Sequence, residues 1–149
     1  MSKVEIIPFK SEHAKIILEL GINEPALELR PEHQKYVVAV EEIGMSFTGL
    51  VNNKPIAAGG VNHLWDNVAE GWVIASKEIW KYPITCARAI KVRTDYLATN
   101  NNIKRIQTGV KADCQKAIRF AEWLGFKREG LMKQYGPDGS DYYLYAKVY

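Results

Sequence analysis

With 149 residues, 47% of them hydrophobic and four of them Trp, the chain is long enough to bury one core and is predicted to form a single domain over residues 1–149. The net charge of +3 is unevenly spread: residues 77–133 carry 13 Lys or Arg against 5 Asp or Glu, and residues 1–76 carry 6 against 10, which fits a phosphate-rich ligand or a solvated basic face, composition alone favouring the second. Met1 to Lys10 holds no signal-peptide apolar run and nothing approaches the roughly 18 apolar residues of a membrane span, so a soluble cytoplasmic protein is expected.

Val4 to Phe9 reads as a short strand, followed by a helix capped at Ser11 and carrying Ala14, Ile17 and Leu18 to Gly21. A second helix is predicted from Pro31, with Tyr36, Val37, Val40 and Ile43 on one face and Gly44 after them. Phe47 to Val51 and Ile56 to His63 flank Asn52-Asn53-Lys54-Pro55, the composition of a hairpin with its turn. Val68 to Ser76 is a further strand.

Pro83 opens a long helix that Asn100-Asn101-Asn102 ends, and Arg105 to Lys111 alternates as a strand, so strand, helix and strand form a crossover unit with a parallel pair. Asp113 is the expected cap of the next helix, in which Ala117, Phe120, Ala121 and Leu124 fall on one face. Gly125 is placed to end that helix in the left-handed region, with Phe126 folding back on its last turn before another strand. Pro137-Asp138-Gly139-Ser140 is a turn, and Asp141 to Tyr149 alternates strictly as a half-buried strand whose tyrosines are a candidate dimer edge. Cys86 and Cys114 match no metal spacing and read as buried free thiols; no metal is expected.

The order β, α, α, β, β, β, α, β, α, β, β, with a helix, Gly125-Phe126 and a strand near the C-terminus, resembles the GNAT N-acetyltransferase superfamily. That resemblance implies an α/β fold with a mixed central sheet of about seven strands, splayed between strands four and five, and helices on both faces. It implies transfer of an acetyl group from acetyl-CoA to an amine by direct attack in a ternary complex. The stretch from Trp72 to Arg88, with Tyr82-Pro83 and Arg88, is similar to a divergent GNAT-like group of tailed-phage genomes, for which the host cytoplasm is the implied setting.

By the same resemblance, Val73, Ile74, Ala75 and Ser76 on strand four are the candidates for the pantetheine arm, and Glu70 is the candidate base. The family wraps the pyrophosphate with a glycine-rich turn before the third helix, where helix N-terminal amides face the anion. Here Lys77 to Cys86 contains no glycine, so Lys81, Thr85 and Arg88 are the candidates for that work. The tyrosine that protonates the leaving thiolate in many family members corresponds to Ala121, leaving Tyr135, Tyr142, Tyr143 or water for that step. Cys114 stands where the family has Asn. The alternative is a GNAT-fold protein without catalysis, kept as an interaction or virion-associated module.

Three further patterns stand apart. Arg93 falls inside the apolar arc of Cys86, Ala89, Ile90, Tyr96 and Leu97, where a charge needs an ion-pair partner or a route to water. His63 near Trp65 and Asp66 is a structural histidine or faces an acceptor pocket. Nucleic-acid binding by the basic half lacks a motif and ranks last; a homodimer is possible, and the amine acceptor is not encoded in any recognisable pattern.

Overall fold

A computed structural model describes residues 3–20 and 38–149. The elements run β1 (Val4–Pro8), α1 (Ser11–Glu19), the helical residues 38–43 (α2), β2 (Ser46–Val51), β3 (Lys54–Trp65), β4 (Val68–Ala75), a 3-10 helix (Lys77–Lys81), α3 (Pro83–Asn100), β5 (Arg105–Lys111), α4 (Gln115–Trp123), β6 (Lys127–Met132) and β7 (Tyr142–Val148). This is the predicted order. The expected helix start at Pro31, with Tyr36 and Val37, and the expected stop at Gly21 lie outside the described residues.

One seven-stranded sheet has the spatial order β1-β2-β3-β4-β5-β7-β6, antiparallel throughout except for the parallel β4–β5 pair. The β2–β3 hairpin turns on Asn52 and Asn53, both in the left-handed region that Asn tolerates. The sheet carries β7 between β5 and β6, so the final strand has no free edge; the edges are β1 and β6. The tyrosine-bearing dimer edge expected from the sequence is corrected on this point.

Side chains of alternate strand residues face opposite layers. Phe9, Ala14, Ile17, Val40 and Ala58, with Trp72 and Ile74, form the core under α1 and α2. On the other face Ala69, Ile106 and Val110 pack with Leu97 and Ala98 of α3 and Ile118, Ala121 and Leu124 of α4. A separate cluster under the start of α3 joins Cys86 to Val51 and Ile56. No described helix is long and apolar enough to cross a membrane.

The end of α4 follows its sequence closely. Gly125 has φ of 97°, its N–H donates to the Glu122 carbonyl at 3.0 Å, and the Phe126 N–H donates to the Ala121 carbonyl at 3.0 Å. This is a Schellman closure, and it tucks Phe126 into the core, a burial that contributes roughly 1.5–3 kcal/mol. α3 starts at Pro83 as expected, and the caps of α1 and α4 are each one residue off. α1 begins at Ser11 with Lys10 as cap, because the His13 ring, and not the Ser11 hydroxyl, accepts the Lys10 N–H at 3.0 Å. α4 begins at Gln115 with Cys114 as cap, which leaves Asp113 one position early and near Lys111 instead. Cys86 is buried, and burial pushes its thiol pKa up; Cys114 is only half-buried, and neither forms a disulfide.

Candidate active site

The functional geometry begins where β4 and β5 part. Val68, Ala69 and Glu70 pair with Arg105, Ile106 and Gln107, and the ladder stops there although β4 continues to Ala75 and β5 to Lys111. The β5-facing edge of β4 from Gly71 to Ala75 is therefore left without a strand partner. Such an edge presents backbone N–H and C=O groups that need an acceptor and a donor. Gly71 stands at the apex, where a Cβ would come within 3.2 Å of the Ile106 side chain.

A cavity of about 830 Å³ opens at this split. On the α3 and α4 side its wall includes Val73, Ala75, Ile90, Arg93, Ala121 and Phe126. On the α1 side it includes Glu70, Trp72, Gly109, Tyr135 and Tyr142. Glu70 belongs to that second side because it alternates with Trp72 and Ile74, which pack under α1. Tyr135 and Tyr142 stack edge to face at 5.4 Å and meet the space above Gly109. The cavity thus passes through the sheet, with a carboxylate and two phenols on one face and two helices on the other.

The sequence-derived candidates are distributed as follows. Glu70, Val73 and Ala75 line the cavity. Ile74 turns its side chain into the α1 core, and its backbone pairs with Ala58 of β3, so the backbone groups on the open edge are those of Val73 and Ala75. Ser76 is fully buried and committed to the turn: its hydroxyl donates to the Ile56 carbonyl at 2.9 Å and accepts from the Glu78 N–H at 3.3 Å, and its own N–H also donates to Ile56. Lys81 pairs with Glu78 at 2.9 Å and lines a smaller hollow of about 230 Å³ beside the β2–β3 turn, and it is not part of the main cavity wall. That pairing lowers the Glu78 pKa and raises that of Lys81. Thr85 and Arg88 are exposed in the opening turns of α3 and are not part of the cavity wall.

The glycine-free segment after β4 folds as the 3-10 helix, capped by Ser76. Its Trp80 reaches α4, where the Lys116 ammonium sits 4.5 Å from the ring centre, and both residues line the cavity. α3 then starts on Pro83 with no side-chain cap, so the N–H groups of Ile84 and Thr85 have no partner within the helix. Lys111, Lys116 and Arg119 also border the cavity and bring part of the basic half of the chain to it. His63 is exposed and outside the cavity wall. Among the tyrosines, Tyr145 is instead a core residue, its hydroxyl donating to Glu122 at 3.1 Å and accepting from Arg128 Nε at 3.1 Å.

Trp80, Lys116 and Gly71 did not stand out in the sequence. Trp80 and Lys116 are 36 positions apart and meet only through the crossover, and Gly71 is informative only once the strand register is known.

No family model and no curated protein matches the sequence. Solved structures do match its shape. Ard1 from Thermoplasma volcanium aligns with a TM-score of 0.81 at 16% identity, covering 97% of this chain and 97% of that one. A GNAT-family acetyltransferase from Bacillus anthracis aligns at 0.74 and 16% identity, over 99% of this chain and 96% of that one. The yncA structure from Salmonella typhimurium, solved with its cofactor acetyl-CoA, aligns at 0.76 and 15% identity, over 97% of this chain and 93% of that one. The fold is therefore that of the GNAT acetyltransferases, a mixed seven-stranded sheet split at β4 and β5 with helices on both faces.

Proposed function

We propose that the chain is an acyl-CoA-dependent N-acyltransferase, with acetyl-CoA as the default donor and an amine as acceptor. The observation that carries this is the unpaired edge of β4, Gly71 to Ala75, facing a cavity that Glu70, the last paired residue, also lines. An extended pantetheine arm has amides that match such an edge, and the free N–H groups of Ile84 and Thr85, with Arg88 a turn further on and Lys116 opposite, suit its phosphates. The missing glycine turn is met by the 3-10 helix, which leaves these amides as the anion site.

In the transfer the amine nitrogen forms a bond to the thioester carbonyl carbon, the carbon–sulfur bond breaks, the amine gives up one proton and the thiol is released. Glu70, on the acceptor face, takes that proton directly or through one water. A β4 backbone N–H on the open edge, at Val73 or Ala75, stabilises the oxyanion, and the fixed walls hold donor and acceptor together. With alanine at position 121, the thiolate is reprotonated from solvent or from Tyr142 on the cavity wall.

A fold without catalysis is the second reading, favoured by Ala121 and by the lack of a glycine turn between Lys77 and Cys86. Calorimetry and thermal melting with millimolar acetyl-CoA separate the two. Heat of binding and a rise in Tm are expected; no heat and no rise would remove the enzyme reading.

A further inference from the structure

Arg93 projects from the inner arc of α3 into the cavity, half-buried, with its guanidinium carbon 4.9 Å from the centre of the Phe47 ring. Among the described residues no carboxylate lies within ion-pair distance of it, and it makes no hydrogen bond. An aromatic face offsets only a small part of the cost of withdrawing a guanidinium from water, and it uses none of the five N–H donors. Gly49, Gly59 and Gly71 of the sheet line the same cavity as Arg93.

The register gives the scale. Phe47 pairs with Gly59, and Gly59 pairs with Val73 on the open edge of β4, so the residue whose ring meets Arg93 is rooted two inter-strand steps, roughly 10 Å, from that edge. An acetyl group held at β4 stops well short of Arg93. A four- or five-carbon chain ending in a carboxylate closes most of the gap, and a charge-assisted contact of about 2.8 Å closes the rest.

We propose that this cavity takes an acyl donor whose acyl chain ends in a carboxylate, of the succinyl or glutaryl class, with Arg93 as the specificity-determining residue that receives that carboxylate. The inference rests on the acyl-CoA reading above and narrows its donor. The transfer is otherwise unchanged: the carbon–nitrogen bond forms, the carbon–sulfur bond breaks, the amine proton leaves, the thiol is released and the distal carboxylate takes no part.

The test is calorimetric binding of acetyl-CoA, butyryl-CoA and succinyl-CoA to the wild type, Arg93→Met and Arg93→Lys, with melting curves to verify folding. Butyryl-CoA matches the length of succinyl-CoA without its charge. Succinyl-CoA is expected to bind about tenfold or more tighter than butyryl-CoA, as a charge-assisted pair predicts. That preference should vanish in Arg93→Met and persist in part in Arg93→Lys. Equal affinity for the two, or a preference that survives in folded Arg93→Met, overturns the assignment while leaving the acyl-CoA reading intact if acetyl-CoA still binds. Failure of all three thioesters to bind overturns both.

Discussion

Glu70 occupies the last paired position before β4 and β5 separate, opposite Gln107, and alternation turns it to the face that holds Trp72 and Tyr142. Glu70→Gln keeps the shape and removes the base. It should lower kcat by about 100-fold or more, the usual worth of general base catalysis, with little change in the KM for the acyl donor. Steady-state kinetics reads this, and an unchanged kcat would remove Glu70 from the chemistry. Gly125 tests the fold at the same scale. In Gly125→Ala the added methyl meets only the flexible Lys147 side chain, at 3.3 Å, so the strain of a φ of 97° dominates. The cost is about 1 kcal/mol or more, which a thermal melt reads as a fall in Tm of a few degrees. Gly125 was legible in the sequence because a helix stop acts locally, through one residue's backbone freedom. Glu70 was placed by the resemblance, and its orientation emerged only with the strand register. The caps at Ser11 and Asp113 were misplaced by one residue because capping depends on which nearby group satisfies the first N–H, and the His13 ring does so in α1.

At the scale of elements, His13 ties α1 to β2. Its Nδ1 accepts the Lys10 N–H at 3.0 Å and lies 2.8 Å from the Thr48 hydroxyl, so the neutral ring bearing its proton on Nε2 is the form that fits. Burial holds its pKa below the ordinary 6.5, the nearby Glu12 opposing. The unfolded chain therefore binds a proton at a pH where the folded chain does not. Stability from this group is complete above pH 6.5 and is lost as pH falls through the lower folded-state value. Tm should decline on acidification below 6.5, and His13→Gln, which keeps an acceptor, should flatten that part of the profile; an unaltered slope would contradict it. Asp95 makes a second tie, accepting from Lys147 at 2.9 Å and the Tyr149 hydroxyl at 2.8 Å, which holds its carboxyl below the usual range despite burial. Element order was readable throughout the described residues because each periodic segment sits between turn signals. The position of β7 inside the sheet was not, since strand order depends on pairings between distant segments that no local pattern records.

For the whole molecule, the decisive feature is an interrupted ladder: three register pairs hold β4 to β5, and past Glu70 the strands diverge around a cavity that crosses the sheet. Periodicity in the sequence reaches a mixed α/β sheet and a parallel crossover pair. The split itself came through the family resemblance, because where the β4–β5 ladder stops depends on pairing between segments distant in sequence, which leaves no local trace. Arg93 is the exception. Its charge within an apolar arc was visible in the sequence, and the question of its partner leads directly to the cavity. The measurement that tests the central claim most directly is residue-resolved amide hydrogen exchange with and without saturating acyl-CoA. Exchange should slow at amides between Gly71 and Ala75 that β5 leaves unpaired, and at Ile84 and Thr85. Saturation of the protein with no added protection at either segment would contradict the proposal that this split strand edge is the donor site.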